Sequence, residues 1–199
     1  MGIYDRDYNR HSYTSGGGGG MRFMMPHITP MVKYLMIINA AVFLFNLPLP
    51  KDMYGFTIID KLFSVFPATL GLSLQIWRII TYQFLHANFF HILFNMLVLF
   101  FFGPMFEQMW GSKKFIKFYL ICGAMGGIVY PIFVAMGLMA PSYLMGASGA
   151  IYGLLAAAAI MFPHMRVYVM GIFPLPMIAL AGIAVLISLS RMLGGENTG

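Results

Sequence analysis

The stretch Gly146-Ala147-Ser148-Gly149-Ala150-Ile151-Tyr152-Gly153 stands at the head of an apolar helix in a strongly hydrophobic chain. A serine flanked by glycines can present its hydroxyl group to a reacting carbonyl carbon with little steric obstruction. Where such a helix enters lipid, the serine is placed for chemistry inside a bilayer. The same run has Gly149 and Gly153 four residues apart, a small-xxx-small pattern that is common where membrane helices pack together.

The composition assigns the chain to membrane proteins. Of its 199 residues, 60% are hydrophobic and only 9% are charged, whereas soluble domains have about 25% charged residues. The formal charge of +6 comes from basic residues spread over several loops, so they form no stripe that would bind nucleic acid. The single cysteine, Cys122, excludes an internal disulfide framework.

Apolar runs predict five membrane spans, each close to the length that a bilayer requires once the flanking residues are included. The predicted spans are residues 34–47, 87–106, 115–139, 149–162 and 177–193. A flexible polar segment, residues 1–30, precedes a membrane domain that comprises residues 31–199. The mixed segment 51–85, between the first two spans, is too polar to cross lipid.

The basic residues around these spans predict the orientation of the chain. If the spans alternate, one side of the membrane receives Arg6, Arg10, Arg22, Lys33, Lys113, Lys114, Lys117 and Arg166. That side is expected to be cytoplasmic, so the N-terminus is cytoplasmic as well. Ser148 and the start of the second span then enter the membrane from the outer side.

Two polar residues near the start of the second span form a second signal. His91 and Asn95 are four residues apart, so both project from one face of a helix. Beside a serine on another helix they suit the oxyanion of an acyl-transfer intermediate, although hydrogen bonding between helices is an equally simple use. His86 lies about 140° around the helix from His91, and no carboxylate or thiolate cluster completes a metal site.

Other polar and aromatic residues have plain structural uses. Tyr152 and Trp77 suit helix packing or an interfacial aromatic belt, and Arg78 suits a headgroup or loop-anchoring contact. The spacing of Gly103, Glu107 and Gly111 predicts helix packing with a carboxylate at the cytoplasmic end of the span.

In combination, these motifs resemble the rhomboid family of intramembrane serine proteases, in the order and spacing of that family. The match runs from about residue 33 to the C-terminus, through Trp77-Arg78, Thr81, Phe84-Leu85-His86, His91-Ile92-Leu93-Phe94-Asn95, Gly103-Pro104-Met105-Phe106-Glu107 and Gly146-Ala147-Ser148-Gly149. The resemblance implies an all-α polytopic membrane protein with a rhomboid-like helical bundle, of which this chain carries five of the usual six transmembrane helices.

The resemblance also implies roles for individual residues. Ser148 would be the nucleophile, and His91 and Asn95 would hold the oxyanion together with the Ser148 backbone N–H. Supporting positions would be His86, Tyr152, Gly146, Gly149, Trp77 and Arg78. Of these, His86 would form hydrogen bonds, Tyr152 would pack against the catalytic histidine, and the Trp77-Arg78 loop would lie partly in the outer leaflet.

The partners that follow from the resemblance are the lipid bilayer and transmembrane protein substrates cut near the outer face. The resemblance implies no metal, no organic cofactor and no nucleic acid. The short polar N-terminus and minimal core resemble multi-pass members of the bacterial inner membrane.

One component of the family pattern is missing from these 199 residues. The family's general base is a histidine on a sixth span, in an Ala-His-x-x-Gly-like setting, and no such span follows the fifth one here. His164 would lie about 24 Å from Ser148 along a helix. Like His11 and His27, it is expected on the cytoplasmic side. The preferred interpretation is a truncated copy of an active protease, because a nucleophile and oxyanion set would otherwise have no evident purpose.

Two other interpretations remain open. The chain is alternatively a non-proteolytic rhomboid-like protein that binds transmembrane segments. A small transporter has little support, because no predicted span carries a charged residue in its middle, where coupling sites usually lie.

Overall fold

The computed structural model describes residues 27–67, 75–169 and 173–193. Within them, seven helices form the fold: α1 (Pro30–Asn46), α2 (Ile58–Phe63), α3 (Arg78–Thr81), α4 (Phe89–Trp110), α5 (Ser112–Ala135), α6 (Ser148–Met161) and α7 (Met177–Leu193). A 3₁₀ turn over Tyr82–Phe84 follows α3, and the strands β1 (Arg166–Val169) and β2 (Phe173–Pro176) separate α6 from α7. Most of the predicted N-terminal segment, residues 1–26, lies outside the described residues.

Each predicted span corresponds to a helix, and a mainly helical membrane bundle is therefore confirmed as the fold class. α4, with 22 residues, and α5, with 24, are long and apolar enough to cross a bilayer. α1 and α7 have 17 residues each, and α6 has 14. α6 is therefore about 21 Å long, less than the ~30 Å of hydrocarbon in a typical bilayer. The number of crossings stays a prediction.

α6 lies in the middle of the bundle, where it contacts α4, α5 and α7. Glycines allow α5 and α6 to approach closely. A Cβ atom on Gly153 would lie 2.6 Å from the Cβ of Cys122, and one on Gly149 would lie 3.4 Å from the Cα of Gly123. The packing role of Gly149 and Gly153 is therefore confirmed, whatever chemistry the same run performs.

A carboxylate from the far end of α4 holds the start of α1. Glu107 accepts hydrogen bonds from four donors: the Thr29 hydroxyl, the Met31 N–H (3.0 Å), the Val32 N–H (2.9 Å) and the Ser112 hydroxyl (2.6 Å). Pro30 has no N–H, and the Lys33 N–H donates to the Thr29 carbonyl oxygen at 2.9 Å. Every N–H group of residues 31–33 thus has a partner, although a helix cannot bond its first-turn donors internally.

The two glycines that flank Glu107 in the sequence have different functions. A Cβ atom on Gly103 would lie 2.7 Å from Cγ2 of Val32, so α1 packs directly on α4 as the spacing predicts. For Gly111 the packing prediction is wrong, because a Cβ atom there would have no atom within 4 Å. Gly111 instead adopts φ +79°, a conformation that glycine favours, and forms the turn between α4 and α5.

The described parts of the segment between α1 and α4 form short helices, and the first of these, α2, is anchored to the end of α1. Thr57 and Asp60 form a capping box at the start of α2, with N–H···O distances of 2.9 and 3.1 Å. The buried Asn46 side chain donates to Asp60 at 2.8 Å and accepts from the Thr57 hydroxyl at 2.6 Å. This network fixes the position of the segment that leads into α4.

Candidate active site

Ser148 is the first residue of α6, and the turn before it has a backbone that requires glycine. Gly146 adopts φ +121°, which residues with side chains rarely do. Its N–H donates to the carbonyl oxygen of Tyr82 at 2.9 Å, and this bond holds the turn against the segment before α4. The Ser148 side chain is half-buried, and no described residue forms a hydrogen bond with its hydroxyl group.

His91 and Asn95 lie in the first two turns of α4, and the structure brings both to the turn before Ser148. α4 begins at a cap in which the Asn88 side chain accepts from the His91 N–H at 2.9 Å. A Cβ atom on Gly146 would lie 2.6 Å from Nε2 of His91 and 3.8 Å from Nδ2 of Asn95. Position 146 therefore has no room for a side chain, because His91 occupies that space.

Several hydrogen-bond donors in this region have no partner. Nδ2 of Asn95 is buried and unbonded among the described residues. The first backbone bond of α6 runs from the Ile151 N–H to the Ala147 carbonyl oxygen at 3.0 Å, so the N–H groups of residues 148–150 precede the ladder. Helix starts attract negative charge, and preorganised donors stabilise an oxyanion. This end of α6 can therefore accept a developing negative charge.

His86 is buried in the connection before α4, outside the spanning helices. Its ring meets the ring of His91 edge to face, with centroids 5.1 Å apart. Neither ring nitrogen forms a hydrogen bond of normal distance and angle with a described residue, although the Phe84 backbone is close enough to raise the His86 pKa slightly. The supporting role of His86 therefore stays a prediction. Burial, and to a smaller extent the neighbouring His91, lowers the pKa of His86 to about 3, so its ring is neutral at pH 7.

In the part of the chain that the structure describes, no three His, Cys, Asp or Glu side chains gather as ligands.

Tyr82 helps to build the site, although no pattern in the sequence indicates it. Its hydroxyl donates to the carbonyl oxygen of Gly123 at 2.6 Å, and a Cβ atom on Gly149 would lie 3.1 Å from the Tyr82 hydroxyl oxygen. Through its own carbonyl, which accepts from Gly146, Tyr82 contacts the run on both sides of the serine. The cap residue Asn88 could have been found, because Asn immediately before an apolar run marks a helix start.

Tyr152 lies at an apolar groove between α6 and α7. The groove has a volume of 460 Å³, and four small residues line it: Ala156, Ala159, Ala181 and Gly182. Tyr152 is 36% exposed. Because Tyr152 follows Ser148 by four residues, both lie on the same face of α6. Of these two residues, Tyr152 lines the groove.

The sequence predicts that Arg78 contacts either lipid headgroups or a loop, and the structure shows that it anchors a loop. Its side chain is 3% exposed, and Nη1 donates to the carbonyl oxygens of Lys61 and Ser64, both at 2.6 Å. Trp77 is 48% exposed, and its indole N–H is 3.4 Å from the Leu62 carbonyl oxygen. A half-exposed indole with a polar contact suits an interfacial position.

The fold and the site together define a class: a helical membrane protein in which a serine begins a central helix, just after a turn that contacts a histidine and lies near an asparagine on the neighbouring helix. Comparison with known proteins gives the family. The sequence profile of the Rhomboid domain matches residues 73–198, more than half of the chain. The chain therefore belongs to the rhomboid family.

Individual relatives agree with this assignment. Rhomboid protein 1, mitochondrial, of Saccharomyces cerevisiae is 30% identical over 172 residues, which cover 79% of this chain and 46% of the yeast protein. Rhomboid protease GlpG of Haemophilus influenzae is 29% identical over 123 residues, 62% of this chain and 59% of that protein. Rhomboid protease GluP of Bacillus subtilis is 40% identical over 81 residues, 41% of this chain and 15% of that protein.

The chain spans less than two thirds of the length of each of these three relatives. Two of them are named as rhomboid proteases. These names support a protease function in general, at the level of the family.

Proposed function

We propose that this chain is the core of an intramembrane serine endopeptidase in which Ser148 attacks the scissile carbonyl carbon of a transmembrane substrate. The observation that carries the proposal is that His91 and Asn95 lie at the Gly146 turn, two residues before Ser148, where His91 leaves no room for a side chain on Gly146. A bond forms between the serine oxygen and the substrate carbonyl carbon, and the amide bond breaks as a general base passes the serine proton to the leaving amine. Water then hydrolyses the acyl-enzyme ester, which releases the acid product and restores the serine hydroxyl.

His91, Asn95 and the Ser148 backbone N–H are the proposed oxyanion donors. Support comes from the unpartnered Nδ2 of Asn95 and from the open backbone donors at the start of α6. Donors that are already oriented need not reorganise when charge develops, which makes them effective in a site with little water. His86 is proposed to support His91 through its ring contact.

The length of α6 supports a reacting serine below the membrane surface. A helix of 14 residues is about 9 Å shorter than the hydrocarbon layer. If part of this difference lies at the Ser148 end, the serine is several ångströms below the interface, and water must reach it through the polar ends of α4 and α6. The half-exposed Trp77 is proposed to lie in the lipid of the same leaflet.

A serine hydroxyl needs a general base at neutral pH. We propose that this base is a histidine on a further helix that binds in the groove between α6 and α7. The groove lies on the face of α6 that carries both Ser148 and Tyr152, and its small residues allow close helix approach. Tyr152 would then contact the histidine ring.

The substrate is proposed to be a single-span membrane protein cut near the outer surface of the bacterial inner membrane. Its segment would enter from the lipid and unwind locally around small or helix-breaking residues. The orientation with a cytoplasmic N-terminus rests on the positive-inside distribution of Lys and Arg.

Cleavage of a model transmembrane substrate in proteoliposomes tests the nucleophile, with the full-length gene product as the enzyme. Ser148→Ala is expected to reduce cleavage by roughly 10⁴-fold or more. Ser188→Ala, an exposed serine on α7, is the matched control and is expected to leave cleavage unchanged. Equal cleavage by the Ser148 variant and the control would overturn the assignment.

A non-proteolytic function is the second candidate, favoured by one observation: among the described residues, nothing forms a hydrogen bond with the Ser148 hydroxyl. Such a protein would bind transmembrane segments without cutting them. The coding sequence beyond Gly199 distinguishes the two. A downstream apolar span with an Ala-His motif supports the protease, and a stop codon at that point supports the binding protein.

A further inference from the structure

The connection between α6 and α7 is an antiparallel hairpin that the proposed reaction does not use. Its register pairs Arg166 with Pro176, Val167 with Leu175, Tyr168 with Pro174 and Val169 with Phe173. Isolated two-stranded hairpins are only marginally stable in water, so this one depends on its surroundings.

The hydrogen-bonding pattern of the hairpin follows from one bond at its base. The Met177 N–H donates to the Met165 carbonyl oxygen at 2.8 Å, one pair beyond the strands. Bonded and non-bonded pairs alternate along an antiparallel ladder. The pairs that contain Pro174 and Pro176 are therefore the non-bonded ones.

The prolines remove the backbone donors from one edge of the hairpin. At a non-bonded position, the backbone N–H points away from the partner strand, toward the outer edge. Pro174 and Pro176 have no N–H. The outer edge of β2 therefore has no hydrogen-bond donor, whereas β1 keeps the outward N–H groups of Arg166 and Tyr168. The carbonyl groups of Pro174 and Pro176 still point outward, but an edge with acceptors alone leaves fewer groups unsatisfied in hydrocarbon than an ordinary strand edge does.

The side chains on the outer face are also those of a membrane interface. Tyr168 is 41% exposed, and Arg166, Pro174 and Pro176 are exposed beside it. On the opposite face, Val167 packs against the core of the bundle. The sequence 167–190 contains no charged residue. Tyrosine and arginine commonly flank apolar segments at the level of the headgroups.

The hairpin lies at the end of α6 opposite Ser148. α5 and α6 run antiparallel, since Gly149 meets Gly123 and the later Gly153 meets the earlier Cys122. The hairpin is therefore at the same end of the bundle as the exposed lysines at the start of α5. Because α6 is shorter than the hydrocarbon layer, the hairpin can occupy the remaining thickness at this end.

We propose that the hairpin between α6 and α7 is a lipid-binding element in the leaflet opposite Ser148, with its proline edge toward phospholipid acyl chains and Arg166 toward the headgroups. Phospholipid is the partner because the edge lacks donors, the outer face carries Tyr168 and Arg166, and the sequence that follows is uncharged. The proposal does not depend on proteolysis.

Depth-dependent quenching of a fluorescent label tests the proposal in proteoliposomes. In a Cys122→Ala background, Tyr168→Cys receives a bimane label, and Lys113→Cys on α5 is the matched control at the same end of the bundle. Phospholipids brominated near the glycerol end are expected to quench the Tyr168 site at least about two-fold more than the Lys113 site. Aqueous iodide is expected to show the reverse order. Equal iodide quenching of the two sites, without bromine quenching at position 168, would overturn the proposal.

A second variant tests the proline edge itself. Pro174→Ala with Pro176→Ala restores two outward N–H groups, which water can satisfy and acyl chains cannot. This pair is expected to increase iodide quenching at position 168 by roughly two-fold, while the exposed Pro50→Ala is expected to leave it unchanged. Unchanged quenching in the double variant would show that the edge does not contact acyl chains and that the prolines only prevent strand pairing in water.

Discussion

The first turns of α1 and α6 differ in whether their backbone N–H groups have hydrogen-bond partners. At α1, Glu107 and a backbone carbonyl satisfy the N–H groups of residues 31–33. At α6, the N–H groups of residues 148–150 precede the helical ladder, and the nearby Nδ2 of Asn95 is also unpartnered within the described chain. α4 supplies both regions, with His91 and Asn95 near its start and Glu107 near its end.

Under the proposed function, the difference separates polar groups that stabilise the fold from polar groups that bind the substrate oxyanion. A buried donor without a partner costs roughly 1–3 kcal/mol, and a fold keeps few of them. Glu107 removes this cost at α1. At α6 the cost remains, and unsatisfied donors there are explained if a substrate oxyanion is their partner.

Among changes to the donors and acceptors at these two helix starts, the largest effect is expected from removing the Asn95 amide at the start of α6. Asn95→Ala deletes an amide that bonds to no described residue, so the unfolding temperature is expected to change little. Cleavage by the full-length gene product is expected to fall by roughly 10²–10³-fold, the usual cost of one oxyanion donor. Cleavage assays and thermal unfolding of the same preparation measure both. A large fall in unfolding temperature would mean that Asn95 is structural.

At the start of α1, where the backbone donors have partners, a substitution is expected to reduce stability and to leave cleavage nearly unchanged. Glu107→Gln replaces one accepting oxygen by an NH₂ group, which cannot accept from the donors of α1 and of Ser112. We expect a loss of about 2 kcal/mol in unfolding free energy and nearly normal cleavage at low temperature. Denaturant titration in detergent measures the stability, and Glu196→Gln is the control. Normal stability of the Glu107 variant would contradict the capping account.

The smallest effect is expected from removing one of the donors that bond to Glu107 at the start of α1. Thr29→Ala removes one hydroxyl donor to Glu107 and leaves the two backbone bonds in place. A loss of about 1 kcal/mol is expected, seen as a small fall in unfolding temperature. In the Glu107→Gln background the same change is expected to cost less, which a double-mutant cycle would measure. Additive losses would mean that the two residues do not act together.

The sequence predicts the long elements well because hydropathy is a local property. All five apolar runs correspond to helices, and His91 and Asn95 share the face that their four-residue spacing predicts. The sequence also predicts the uses of the glycines near Ser148, since both a tight turn and close helix packing require glycine.

Contacts between distant segments could not be predicted. The Gly146–Tyr82 bond and the carbonyl partners of Arg78 depend on how loops meet after folding. The spacing of Gly111 predicts packing, but its φ value shows a turn. The sequence does not predict the hairpin, because strands of four residues are too short for a periodic signal.

Covalent labelling of Ser148 tests the central claim most directly. The full-length gene product in lipid bilayers would be treated with a fluorophosphonate, whose phosphonyl oxygen resembles the oxyanion, and the modified peptide mapped by mass spectrometry. The account predicts modification at Ser148, strong weakening in Asn95→Ala and none in Ser148→Ala, whereas residues 1–199 alone are expected to react little. Labelling of the full-length protein at another residue, or labelling at Ser148 that Asn95→Ala leaves unchanged, would contradict it.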